Sequence, residues 1–174
     1  MDLMLLRIFQ RQVADQCRFA LGGVHLINAA LGEQNKDVLW VGCQQFLVGA
    51  ANVSKALWGQ RSKFETQRAP LRDSLSVSAE SPLKNMTFRN HFEHYDERID
   101  RWWAESVSHN ILDQMIGSPS AVQGFESQES FRIYDPGSHT IYFWGEDFAV
   151  EPIARELDRV YPLAKSESEK PHWN

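Results

Sequence analysis

Cysteine is scarce in this chain. Only Cys17 and Cys43 occur among its 174 residues, and each falls in a stretch that reads as helix. Two isolated cysteines make neither a disulfide framework nor a Cys-x-x-Cys metal knuckle, so both are expected to be reduced, small core residues. Long uncharged apolar runs are missing too. The opening MDLMLLRIFQRQVADQ is broken by Asp2, Arg7 and Arg11. It lacks the apolar run and small-residue cleavage site of a secretory signal. No stretch reaches the roughly 18 uncharged apolar residues of a membrane span. A cytoplasmic protein with no membrane association is the expectation. Internal repeats and low-complexity segments are lacking as well.

A basic surplus is the last absence. Lys and Arg number 18 against 23 Asp and Glu, a net charge of −5, whereas a domain held to nucleic acid by charge alone is usually basic throughout. The charge is unevenly spread: residues 1–54 are neutral, 55–104 carry +2 and 105–174 carry −7. Any RNA contact is therefore expected to be local, at Lys55, Arg61, Lys63, Arg68 and Arg72, where five bases face the single acid Glu65. The plainer reading of that run is a solvated loop.

What is present is helical patterning. Leu5, Ile8, Phe9, Val13, Cys17, Ala20, Leu21 and Val24 follow the three-four spacing of an amphipathic helix over 3–31. GEQNKD at 32–37 reads as a turn, with Gly32 as a C-cap and Asp37 as an N-cap. A second helix over 37–58 contains Gly42, Gly49, Ala50 and Ala51, which permit close approach, and the short connection makes the two antiparallel neighbours. Ser81 and Pro82 start a third helix, predicted over about 82–107, with a further helical piece over 108–116. Phe131–Tyr134 and Thr140–Trp144, joined by DPGSH, predict a β-hairpin at about 130–145, which is marginal alone and must pack on something. A last helix is expected over 150–163. The fold class is thus mainly α, an antiparallel helical bundle with a C-terminal β-hairpin and a final helix. It forms one domain over 1–164, with a flexible tail at 165–174.

The third helix carries the chemistry. FRNHFEHYDERIDRWW, Phe88 to Trp103, holds a buried stripe of Phe88, Phe92, Tyr95, Ile99 and Trp102. Asn90 and His94 are four apart on the opposite face, and Arg89 lies on the flank within reach of it. Such a trio suits RNA cleavage without metal. Histidine takes or gives a proton near neutrality, a guanidinium clamps the charge that builds on the phosphorus-bound oxygens, and an amide positions.

RNHFEH resembles the arginine–x4–6–histidine motif of the HEPN superfamily (higher eukaryotes and prokaryotes nucleotide-binding domains), in which a polar residue, often asparagine, follows the arginine. The resemblance covers roughly residues 3–116. It implies a helical bundle that forms a homodimer and brings two copies of Arg89, Asn90 and His94 to a shared cleft. It further implies metal-independent RNA cleavage, without cofactor, leaving a cyclic phosphate. The setting it implies is toxin–antitoxin or phage defence, with an antitoxin or other protein as partner. HEPN toxins modified by nucleotidyltransferase antitoxins carry a tyrosine two places after the histidine; Asp96 stands there.

Two plainer readings stand beside this one. Arg89 and Glu93 are spaced for a helical ion pair, as are Glu97 and Arg101, and the segment can serve as a non-catalytic dimerisation or ligand-binding module of the same fold. His91, Glu93, His94 and Glu97 could also be read as a metal set. The paired Glu-x-x-His pattern of a di-metal bundle is missing, however, so no metal is expected.

Overall fold

The computed structural model describes residues 1–172. Its first helix, α1, spans Leu3–Glu33, started by the Asp2 carboxylate, which accepts from the backbone N–H of Met4 and Leu5 at 2.9 and 3.2 Å. The helix stops at Gln34, not at Gly32, because Gln34 takes the left-handed conformation (φ 55°). Asn35, rather than Asp37, caps α2 (Lys36–Trp58) by accepting from Val38 N–H at 3.2 Å. A two-residue connection leaves the helices antiparallel and in contact along their length. The small residues matter for this contact. A Cβ added to Gly23 would lie 2.6 Å from the Gly42 carbonyl oxygen, and one on Gly49 would lie 2.8 Å from the Ala20 backbone nitrogen.

The last helix, α7 (Val150–Ser168), packs along α1 and extends past the predicted end at 163 into the expected tail. Burial of Ala164 and Ser168, and an ion pair from Glu167 to Arg7 at 3.3 Å, hold that extra turn. Positions 173 and 174 of the expected tail lie outside the described residues.

The basic run after α2 is more ordered than a solvated loop. It forms α3 (Ser62–Gln67) and α4 (Ala69–Ser74), the latter with Pro70 in its first turn. Gln10, fully buried on α1, ties α4 down by donating to Ser74 Oγ at 2.9 Å.

The predicted helix over 82–107 is broken. Ser81 and Pro82 do start a helical turn, but it is a single 3-10 turn, Pro82–Lys84. Asn85 ends it, because its side-chain oxygen accepts from Thr87 N–H and Oγ1, a local bond that competes with the helix. A second 3-10 turn (Thr87–Arg89) leads into α5 (Asn90–Glu93). His94 (φ −111°, ψ 39°) interrupts the chain before α6 (Tyr95–Glu105). The break shifts the phase of the stripe: Phe88 is buried, Phe92, Tyr95 and Trp102 are partly so, and Ile99 is exposed. The piece expected as helix over 108–116 is an extended segment ending in β1 (Met115–Ile116).

The hairpin is part of a larger sheet. β2 (Ile133–Asp135) and β3 (Thr140–Phe143) pair antiparallel with Tyr134 opposite Ile141, β1 adds in parallel to β2, and β4 (Glu146–Ala149) pairs with β3. Trp144 and Gly145 turn β3 into β4, both at positive φ (56° and 76°), as the tightest hairpin turns require. The sheet docks on the helices through aromatic rings. Phe88 stacks on Phe148 at 5.2 Å, and Phe143 lies 5.4 Å from Phe131 and 5.8 Å from Tyr95. Asp113, just before β1, and Arg132, just before β2, are joined by a bidentate pair, with Nε donating to Oδ1 at 2.7 Å. Burial alone would push the Asp113 carboxyl up, but the Arg132 bonds outweigh it and hold it below the usual range. Among the described residues no helix is long and apolar enough to cross a membrane.

Candidate functional site

The 3-10 turn at Thr87–Arg89 and the start of α5 lie against the C-terminal half of α2 and border an open, shallow cleft of about 330 Å3. Arg89 and Asn90 line it on one side, Ser54 and Lys55 of α2 on the other, and Lys84, Asn85 and Thr87 complete a polar rim. Three cations therefore converge on one concavity. Two are engaged: Lys84 meets Glu65 at 3.2 Å, and the Arg89 guanidinium is bonded to Glu93 one turn on. The Arg89 side chain is only 16% exposed, so its charge is directed rather than free to swing. A cleft of this kind suits an anion with several oxygens, since guanidinium, ammonium and amide groups all donate.

His94 is not in the lining of the cleft. It sits at the α5–α6 break, with its backbone N–H on the Asn90 carbonyl at 2.9 Å, so it is one turn along from the cleft. Its side chain is 51% exposed and its Nδ1 donates to Glu97 Oε1 at 3.3 Å. With Nδ1 so occupied, Nε2 is the nitrogen left to accept a proton. The structure thus brings Arg89 and Asn90 together and leaves His94 at the adjoining rim.

The five basic residues of the 55–72 run divide. Lys55 lines the cleft. Arg61 is exposed at the start of α3, and Lys63 reaches over the Phe64 ring at 5.1 Å. Arg68 stacks on Phe9 at 3.6 Å, and Arg72 donates to the Leu57 carbonyl at 2.6 Å, closing the last turn of α2. These last two are structural contacts, and they explain why the run folds as helix instead of lying free in water. Glu97 pairs with His94, and Arg101 with Glu105 at 2.9 Å, so the expected Glu97–Arg101 pair does not form.

No protein-family model, curated protein or solved structure matches this chain. The site therefore stands on its own geometry. Among the described residues no three His, Cys, Asp or Glu side chains are grouped to hold a metal ion. His91 and His94 point into different surroundings. His91 is buried, stacks on Phe143 at 4.9 Å, accepts from Arg98 Nε at 3.3 Å and pairs through Nε2 with Glu146 at 3.1 Å. It locks α5 to α6 and to the β3–β4 turn, so it positions the candidate residues. Sequence reading takes His91 only as a candidate metal ligand; its spacing, three after Phe88 and four before Tyr95, was the signal for its inward placement. Lys84 as a wall of the cleft was not legible, since a fold that brings 84 beside 55 is needed to see it.

Proposed function

We propose that this chain is a metal-independent endoribonuclease of HEPN type, acting in a toxin or defence setting. The observation that supports this most is the shared cationic cleft of Lys55, Arg89 and Asn90, with His94 one turn away and its Nε2 open. In this reading the RNA phosphate enters the cleft and displaces Glu93 from Arg89. His94 Nε2 takes the proton of the ribose 2′-hydroxyl. The 2′-oxygen attacks phosphorus, the bond to the 5′-oxygen breaks, and that oxygen leaves with a proton from a second acid or water. The products are a 2′,3′-cyclic phosphate and a 5′-hydroxyl. Arg89 donates to the oxygens on which charge accumulates, Asn90 positions the phosphate, and Lys55 steers it. A homodimer would place a second His94 near the leaving oxygen.

The tested quantity is cleavage of single-stranded RNA and tRNA in EDTA by wild type, His94→Ala and Arg89→Ala. Activity that persists in EDTA and is lost at least a hundredfold in both variants is expected. Equal inactivity of all three overturns the enzyme reading. The alternative is then a non-catalytic dimerisation or ligand-binding module, a reading favoured by one observation: Glu93 already neutralises Arg89.

A further inference from the structure

The cleft leaves the outward face of α6 unexplained. At 100° per residue, Ile99 and Trp103 form one stripe on this helix, and Asp96 and Asp100 form a second stripe beside it. Trp103 is 63% exposed, and Val107, in the loop that follows the helix after the extended Ser106, is 98% exposed. The other charges of α6 are engaged: Glu97 by His94, Arg98 by His91, and Arg101 by Glu105. Among the described residues Asp96 and Asp100 make no ion pair.

This exposed tryptophan is held in place. Its ring lies against His109 at 4.2 Å, and His109 Nε2 bonds the Trp103 carbonyl at 3.2 Å. The loop that carries His109 and Val107 is itself pinned. Ser106 Oγ and Ser108 Oγ both donate to the buried carboxylate of Glu129, and Trp102 Nε1 donates to the Asn110 carbonyl at 2.9 Å. The Ser108 hydroxyl most of all, then the Glu126 backbone N–H and the Ser106 hydroxyl, hold the Glu129 carboxyl below its usual range. A buried acid is thus used to fix a surface whose centre is an open aromatic ring. Fixed, exposed tryptophans are the side chains that most often anchor protein partners.

We propose that this face docks an amphipathic helix of another protein, with an apolar stripe seated on Ile99 and Trp103 and a Lys/Arg stripe on Asp96 and Asp100. The charge decides the occupant. A second copy, packed parallel or antiparallel across a two-fold axis, would set Asp96 and Asp100 against themselves or against Glu105. An anionic lipid surface would meet the same carboxylates. A basic helix relieves both stripes at once.

The surface is independent of the ribonuclease reading and is tested apart from it. The probe is a labelled synthetic helix of about 18 residues, with leucine along one stripe and lysine along the next, set beside the same peptide with glutamate for lysine. Fluorescence anisotropy should show the lysine peptide binding at least tenfold more tightly than the glutamate peptide. Trp103→Ala should weaken it at least tenfold. The double variant Asp96→Asn, Asp100→Asn should weaken it at least threefold and flatten its salt dependence. Arg89→Ala and His94→Ala should bind as wild type, whatever their effect on RNA. Light scattering should give the same mass for wild type and Trp103→Ala. The proposal is overturned if the lysine peptide fails to bind at about 1 mM or if both peptides bind alike. It is equally overturned if Trp103→Ala retains affinity, or if that variant splits a dimer, which would make a second copy the occupant.

Discussion

Gly23→Ala and Gly32→Ala are the same chemical change with opposite expected signs. Both glycines lie within α1. A Cβ on Gly32 meets nothing within 4 Å. There the alanine gains helix propensity and narrows the unfolded ensemble, a stabilisation of about 0.5–1 kcal/mol. A Cβ on Gly23 meets the Gly42 carbonyl oxygen at 2.6 Å, the Phe46 nitrogen at 2.7 Å and the Phe46 Cα at 3.1 Å. All three are backbone atoms of α2, so no side chain can rotate away. The helices must move apart by several tenths of an ångström, and a gap of about 0.5–1 Å loses a quarter to a half of each affected dispersion contact. Overpacking of this kind costs about 3 kcal/mol at its upper end. Less about 1 kcal/mol of propensity gain, the net loss is about 2 kcal/mol, or roughly 4–8 °C in Tm for a chain of this size. Urea titration followed by circular dichroism measures both variants. If Gly23→Ala matches or exceeds Gly32→Ala in midpoint, the close helix contact described above is wrong.

Three other outcomes follow from the same contacts. Burial and the Glu156 carboxylate push the Cys17 thiol up to about 12, and burial pushes Cys43 higher still; neither should react with an aromatic disulfide reagent at pH 8 until urea unfolds the chain, and native labelling of either would contradict its placement. The carboxyls of Asp113 and Glu156 are held low, the latter chiefly by its bonds to Arg159; the stability they supply is full above the unfolded carboxyl value of about 4 and is lost as pH falls through their depressed folded values. Asp113→Ala should therefore cost about 1.5–3 kcal/mol at pH 7 and less at pH 2, and an equal loss at both would refute the assignment. Glu93→Gln releases Arg89 and should tighten binding of a short, non-cleavable RNA by about two- to threefold, the size of an exposed helical ion pair; unchanged affinity would mean that Arg89 does not meet the phosphate.

The sequence by itself determined the helical hairpin, the final helix and the antiparallel hairpin, because each rests on local periodicity and on turn residues whose effect reaches only a few positions. It also placed Arg89, Asn90 and His94 on one short segment and paired Arg89 with Glu93. Tertiary structure decided the rest. Three-four spacing predicts one helix over 82–107, but Asn85 bonds its own turn and His94 breaks the backbone, and the gain from burying His91 against Phe143 is visible only once the sheet is packed there. The same spacing puts Ile99 inward, while the shifted phase turns it outward beside Trp103. The basic run reads as loop because its charges are counted one by one, whereas Arg68 and Arg72 find a ring and a carbonyl on other helices. Periodicity reports which faces are apolar. What covers each face, and which distant lysine closes the cleft beside Arg89, depends on contacts between residues far apart in the chain.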